Sequence, residues 1–202
     1  MLRKFINLKE PYLYIIFPFV AIHLLYINTP FINLEYVYRQ GTQFFLTGDQ
    51  QQLYLYYFRQ QNTLVYSYFS SFIVRLIGDH YLSYRILSLL GGTLLLIALI
   101  KYKNPYIIIL VGLNPIIWIY SGRAYPDILS VGLIYFALEF RKNVFISGII
   151  GGISGITKYH SMIVGCSYWM FTGIYELIKQ KRNLLKNLNF YKIIISIIIL
   201  LL

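Results

Sequence analysis

What most constrains this chain is a succession of apolar runs filling nearly its whole length, interrupted by Lys/Arg clusters on every second connection. The clusters are Arg3-Lys4, Lys101-Tyr102-Lys103, Arg141-Lys142 and Lys179-Gln180-Lys181-Arg182. The connections between them carry Glu35, Arg39, Asp49, Asp79, Arg85, Arg123, Asp127, Lys158 and His160. Only 12% of the residues are charged and 58% are hydrophobic, whereas soluble domains use about 25% charged residues. Such a chain cannot clothe itself for water, and a lipid bilayer is the solvent that fits it. A net charge of +11 would point to nucleic acid in a soluble protein. Here the collection of Lys/Arg on cytoplasmic loops accounts for it, and no nucleic-acid partner is expected.

Six runs read as membrane spans, at roughly 11–28, 81–100, 105–121, 127–140, 144–158 and 161–177, and a seventh begins near 189. Several are shorter than the ~20 residues that cross ~30 Å of hydrocarbon, and flanking Tyr and Trp can extend them at the interfaces. The runs lack the alternation of a barrel, so they read as helices. The stretch 62–78 decides the threading. Counted as a span, it would put the Lys101, Arg141 and Lys179 clusters outside, against the positive-inside rule. Read as an interfacial helix, it leaves Arg3, Lys4, Lys9, Lys101, Lys103, Arg141, Lys142, Lys179, Lys181, Arg182, Lys186 and Lys192 inside. Arg39, Arg59, Arg75, Arg85, Arg123 and Lys158 then fall outside.

The expected fold is therefore all-α: one transmembrane domain over 1–202, a polytopic helical bundle of about seven spans with a cytoplasmic N-terminus. Its first extracytoplasmic loop, 29–80, is long and carries amphipathic, interface-lying helices over 35–46 and 54–78. The basic start runs on to Asn28-Thr29-Pro30 without a small-residue cleavage signal, so it reads as a retained span. The last run is still apolar at Leu202. Either that helix ends at the far side or the chain is the N-terminal part of something longer, and the second reading is preferred. The single cysteine, Cys166, excludes an intramolecular disulfide and a cysteine metal cluster.

The outer connections hold the candidate chemistry. A helix starting near Asn33 puts Glu35 in its first turn, favoured by the helix dipole, with Arg39 at i+4 to pair with it. The same carboxylate could act as a general base at the membrane surface. In Ser121-Gly-Arg-Ala-Tyr-Pro-Asp127, Pro126 suits a first helical position and Asp127 the first turn. Ionisable groups at such depth are functional candidates by default, and the Arg123 guanidinium could clasp a phosphate. Lys158 could snorkel or offer a point charge to a phosphate, and Arg85 could anchor at the interface or add a phosphate contact. His160 alone makes no metal site. The small-residue run 148–155 reads as close helix packing. Walker, GxGxxG, HExxH and nucleophile-elbow motifs are absent.

Four segments, NLEYVYRQGTQFFLTGD (33–49), YSYFSSFIVRLIGDHYLSYRILSLLGG (66–92), NPIIWIYSGRAYPDIL (114–129) and GIIGGISGITKYHSMI (148–163), together resemble the GT-C superfamily of integral-membrane glycosyltransferases. The likeness is to the branch of protein O-mannosyltransferases and lipid A aminoarabinose transferases, and it covers about residues 10–175. It implies inverting transfer of a sugar from a polyprenyl-phosphate donor to a glycan, lipid or protein acceptor on the extracytoplasmic side. The family's first-loop acid maps to Glu35 and its second external acid to Asp127, the two catalytic candidates. Arg39, Arg85, Arg123, Lys158 and His160 are the substrate-binding candidates. No cofactor is assigned, although a divalent metal is compatible with this chemistry. The chain departs from the family in having Gln60-Gln-Asn-Thr63 where a Pro-Pro segment is frequent, and in being much shorter. A non-catalytic membrane scaffold or lipid-carrier-binding protein is the alternative reading, and a small carrier or flippase ranks third.

Overall fold

A computed structural model describes residues 10–32, 34–59, 64–100, 104–140, 143–180 and 188–201. Those residues form eleven helices and no strands, in agreement with the all-α expectation. They are α1 (Glu10–Tyr26), α2 (Glu35–Thr47), α3 (Gln50–Arg59), α4 (Val65–Ile77), α5 (Tyr81–Leu99) and α6 (Pro105–Gly112). Then follow α7 (Pro115–Ser121), α8 (Pro126–Glu139), α9 (Val144–Thr157), α10 (Tyr159–Gln180) and α11 (Leu188–Leu201). One of them, α5, is both long and apolar enough to cross a membrane. The apolar stretches Tyr14–Tyr26, Val65–Ile77, Val144–Thr157 and Asn189–Ile199 are helical but shorter.

The expected single helix over 105–121 is in fact two, α6 and α7. Pro115 has no N–H to donate back along the helix and its ring clashes with the preceding turn. Asn114 completes the break by capping the new helix, its Oδ1 accepting from Ile116 N at 2.9 Å. The junction between α9 and α10 is a single extended residue, Lys158.

Helix directions follow from close approaches. Ser88 of α5 bonds Tyr125 at the start of α8, and further along both helices Gly91 lies against Leu129 and Gly132, so α5 and α8 run parallel. Gly92 faces Ser121 while Gly112 faces Leu96, so α6 and α7 run antiparallel to α5. Ser130 Oγ donates to Ser154 O at 2.8 Å and Ser147 Oγ donates to Ala137 O at 2.8 Å, which pairs α8 and α9 antiparallel. Along α9, Gly148, Gly151 and Gly152 receive Ile195, Ser196 and Ile199 of α11, as small residues permit where backbones approach closely.

These directions bring the C-termini of α1, α7 and α9 and the N-termini of α5, α8 and α10 to one end. There α2, α3 and α4 fold as a cap, packed through Phe31, Val37, Tyr38, Tyr56, Tyr66 and Val74 onto Tyr84, Ala124 and Leu129. Segment 29–80 holds α2, α3 and α4, with the stretch 54–78 divided between α3 and α4, and α4 lies against α2 and α5. The basic clusters at 3–4, 9, 101–103, 141–142, 181–182 and 186 lie outside the described residues, and so does the Lys179 side chain. Lys192 is buried, its Nζ donating to Asn189 Oδ1 at 3.1 Å.

Candidate functional site

At the capped end, the Glu35 carboxylate is completely buried and surrounded by donors. Arg85 Nε donates to Oε1 at 2.7 Å and Arg85 Nη2 to Oε2 at 2.9 Å. The backbone N–H groups of Ala124 (2.9 Å, to Oε1) and Ile32 (3.0 Å, to Oε2) complete the cage with Arg123 Nη1 (3.2 Å, to Oε2). A carboxylate offers about four lone-pair sites, and five donors occupy them. In this arrangement Glu35 has no open lone pair with which to accept a substrate proton. It clamps three chain segments together.

Arg85 is its counterpart, equally buried. Beyond Glu35 its guanidinium donates to the carbonyls of Ile27, Thr29 and Pro30, where the chain turns out of α1. All five guanidinium donors therefore have acceptors, and Arg85 has none to offer a phosphate. The expected Glu35–Arg39 pair at i+4 does not form. The deeper partner on α5 wins because burial strengthens an ion pair, and Arg39 turns instead to Asp79 at 3.1 Å. Ser88, one turn past Arg85, donates to Tyr125 O at 2.7 Å and accepts from Tyr125 N at 3.1 Å, fixing the 121–127 connection. Burial, followed by the negative charge of Glu35, raises the Tyr125 phenol above its ordinary value.

Arg123 is only half engaged. Its Nη1 donates to Glu35 Oε2 and to Pro30 O at 3.1 Å, while Nε and Nη2 have no partner among the described residues. It stands at the top of a groove of about 400 Å³ between α1 and α7, walled by Ile22, Tyr26, Ile32, Trp118 and Ile119. His23 forms the floor, with Nδ1 2.6 Å from Phe19 O and Nε2 3.0 Å from Trp118 O. Sequence reasoning passed over His23. Its one signal is a lone polar ring within an apolar run.

Asp127 and Lys158 pair with each other across the α8 and α9 ends, both partly exposed. Asp127 Oδ2 has no described partner, so of the two expected acids it keeps open lone pairs. His160 is exposed and stacks on Tyr159, ring centroids 3.9 Å apart, away from the Glu35 cage. A second and larger cleft, about 650 Å³, opens beside Phe31, Arg39, Asp79 and Tyr81. Asp79 was visible in the sequence as a polar connection residue without a role. Here it accepts from Tyr84 Oη (2.7 Å), Arg39 Nη2 (3.1 Å) and Gln43 Nε2 (3.4 Å). Burial alone would raise its carboxyl, but the Tyr84 and Arg39 hydrogen bonds and the Arg39 charge outweigh that and hold it below the usual value.

At the capped end the carboxylates of Glu35, Asp127 and Asp79 each already face N–H donors or a cation. Glu35 is saturated by N–H donors, Asp127 faces an ammonium and Asp79 a guanidinium, and no group of three His, Cys, Asp or Glu gathers among the described residues. Comparisons with protein-family models, curated proteins and solved structures find no match.

Proposed function

We propose that this chain is a multi-span membrane protein that holds the phosphate of a lipid-linked sugar at its capped end, as a transferase of the GT-C kind would. The capped end faces the extracytoplasmic side, with the basic connections on the cytoplasmic side. The observation that carries the reading is Arg123. One edge of its guanidinium is tethered to Glu35 and Pro30, and the other edge is free at the head of an apolar groove. Exposed Ile22, Tyr26, Ile32 and Ile119 wall that groove, which suits a prenyl chain, and a forked donor suits its phosphate. Glu35 then acts as a positioning residue for Arg123. Asp127, with free lone pairs and Lys158 beside it, is the acid placed to accept an acceptor proton. The alternative, a lipid-carrier-binding protein without transfer activity, draws on the saturation of Glu35.

The test is binding of a polyprenyl phosphate, with the matching polyprenol as control, to the chain in nanodiscs, followed through Trp118 fluorescence. The phosphate is expected to bind more tightly than the alcohol. Arg123→Gln, which removes charge-assisted hydrogen bonds, is expected to weaken the phosphate by about 10-fold or more and to leave the alcohol unchanged. Equal binding of phosphate and alcohol by the native chain contradicts the reading. Phosphate binding with no sugar transfer from any lipid-linked donor selects the non-catalytic alternative.

A further inference from the structure

Pro115 breaks the α6–α7 pair at its middle, with eight residues of α6 before the break and seven of α7 after it. The break leaves backbone carbonyls without donors. Pro115 has no N–H to give Val111 O. Asn114 N takes that carbonyl instead, at 3.2 Å, and leaves Leu110 O without its regular helical donor. Leu113 O likewise accepts from no donor among the described residues. Beside these acceptors stands an idle donor. Asn114 Oδ1 accepts from Ile116 N, which fixes the orientation of the carboxamide, and the two N–H groups on Nδ2 have no described partner. Leu110 and Leu113 are 73% and 68% exposed, and Asn114 is exposed between Leu113 and Ile116. Tyr106 and Ile116 continue this outward face toward either end. Next to it runs a groove of about 390 Å³ walled by Leu95, Leu99, Val131 and Tyr135.

We infer that this face is a contact between two copies of the chain, in which Asn114 Nδ2 of each copy donates to the free carbonyls of the other. The inference rests on the multi-span part of the proposed function, which puts the break at mid-membrane depth, and not on the lipid phosphate. Unmatched backbone groups are costly in hydrocarbon, and irregular backbone at that depth is tolerated only when covered by protein or beside water. Acyl chains carry no donor to satisfy it. A second copy does. The face holds a donor and acceptors side by side, so it is complementary to itself, as a two-fold contact requires. Asn side chains bridge membrane helices in this way. Leu110, Leu113 and Ile116 supply apolar surface around the hydrogen bonds, and the adjoining groove has room for side chains of the second copy.

The experiment measures resonance energy transfer between donor- and acceptor-labelled chains in phosphatidylcholine vesicles over a range of protein-to-lipid ratios. Transfer is expected to fall on dilution as a monomer–dimer equilibrium. Asn114→Thr keeps an oxygen to cap the Ile116 N–H but removes the amide donors. With helix content verified by circular dichroism, it is expected to weaken dimerisation about 10-fold. Cross-linking locates the contact without altering Asn114. In a Cys166→Ser background, at least one of Tyr106→Cys, Leu110→Cys, Leu113→Cys and Ile116→Cys is expected to form disulfide-linked dimers in native membranes. Phe171→Cys, 68% exposed on α10, is expected to form none. The proposal is overturned if the chain is monomeric at every ratio, if the four cysteines cross-link no more than Phe171→Cys, or if folded Asn114→Thr dimerises as the native chain does. Alkaline carbonate extraction of the same membranes separates the two readings. A chain that is retained but monomeric overturns this contact alone, whereas an extracted chain overturns the multi-span reading and the contact together.

Discussion

Glu35→Ala is expected to destabilise the chain by about 3–5 kcal/mol, the usual cost of leaving one member of a buried ion pair without its partner. The loss would show as a lowered thermal midpoint and faster proteolysis in detergent. The reason lies in what remains. Arg85 stays fully buried with its charge uncompensated, and the N–H groups of Ala124 and Ile32 lose their acceptor. Glu35→Gln preserves shape but points an amide donor at donors, so it is expected to lose stability as well, by about 1–3 kcal/mol. Replacing both partners, Glu35→Leu with Arg85→Met, is not expected to restore the native value. Arg85 also satisfies the carbonyls of Ile27, Thr29 and Pro30, which would then be stranded. Any loss of sugar transfer in a Glu35 variant therefore reports on chemistry only after normalisation to the folded fraction.

Gly132→Ala is expected to be the second large effect, and its sign is opposite to that of the same change at Gly112. Ala ordinarily stabilises a helix interior by about 0.5–1 kcal/mol over Gly. At Gly132 the added methyl runs into the carbonyl of Gly91, a backbone group with nowhere to rotate, so α5 and α8 must separate. Overpacking of that kind costs about 1–3 kcal/mol. At Gly112 the methyl would meet the side chains of Leu96 and Phe19 at 3.6 and 4.0 Å, ordinary contact distances, and a gain of up to about 1 kcal/mol is expected. Thermal unfolding of the two single variants, measured side by side, checks both signs. If Gly132→Ala is neutral, α5 and α8 do not approach as closely as described.

The helices of this chain were legible because apolar runs and Pro126 mark them plainly, and the small residues of 148–155 announced close packing. The break between α6 and α7 was written in Asn114-Pro115, but an apolar run of spanning length concealed it. Partner choice at the site was harder to see. Spacing along one helix proposed Arg39 for Glu35, yet spatial proximity supplied Arg85, fifty residues away, because a buried carboxylate selects the donor that is buried with it. Asp127 and Lys158 were each identified singly, and their pairing depends on the antiparallel contact of α8 with α9, which no local pattern encodes. Asp79 gained its place from Arg39, Gln43 and Tyr84, contributed by two different helices.

The functional reading requires the capped end to face the extracytoplasmic side, and cysteine accessibility tests it most directly. In a Cys166→Ser background, Asn28→Cys and His160→Cys report on the capped end and Asn104→Cys on the other, all three positions being exposed. With a membrane-impermeant maleimide on intact cells, residues 28 and 160 are expected to label and residue 104 to label only after permeabilisation. Labelling of 28 and 104 from the same side, or of 160 only after permeabilisation, would contradict an extracytoplasmic site.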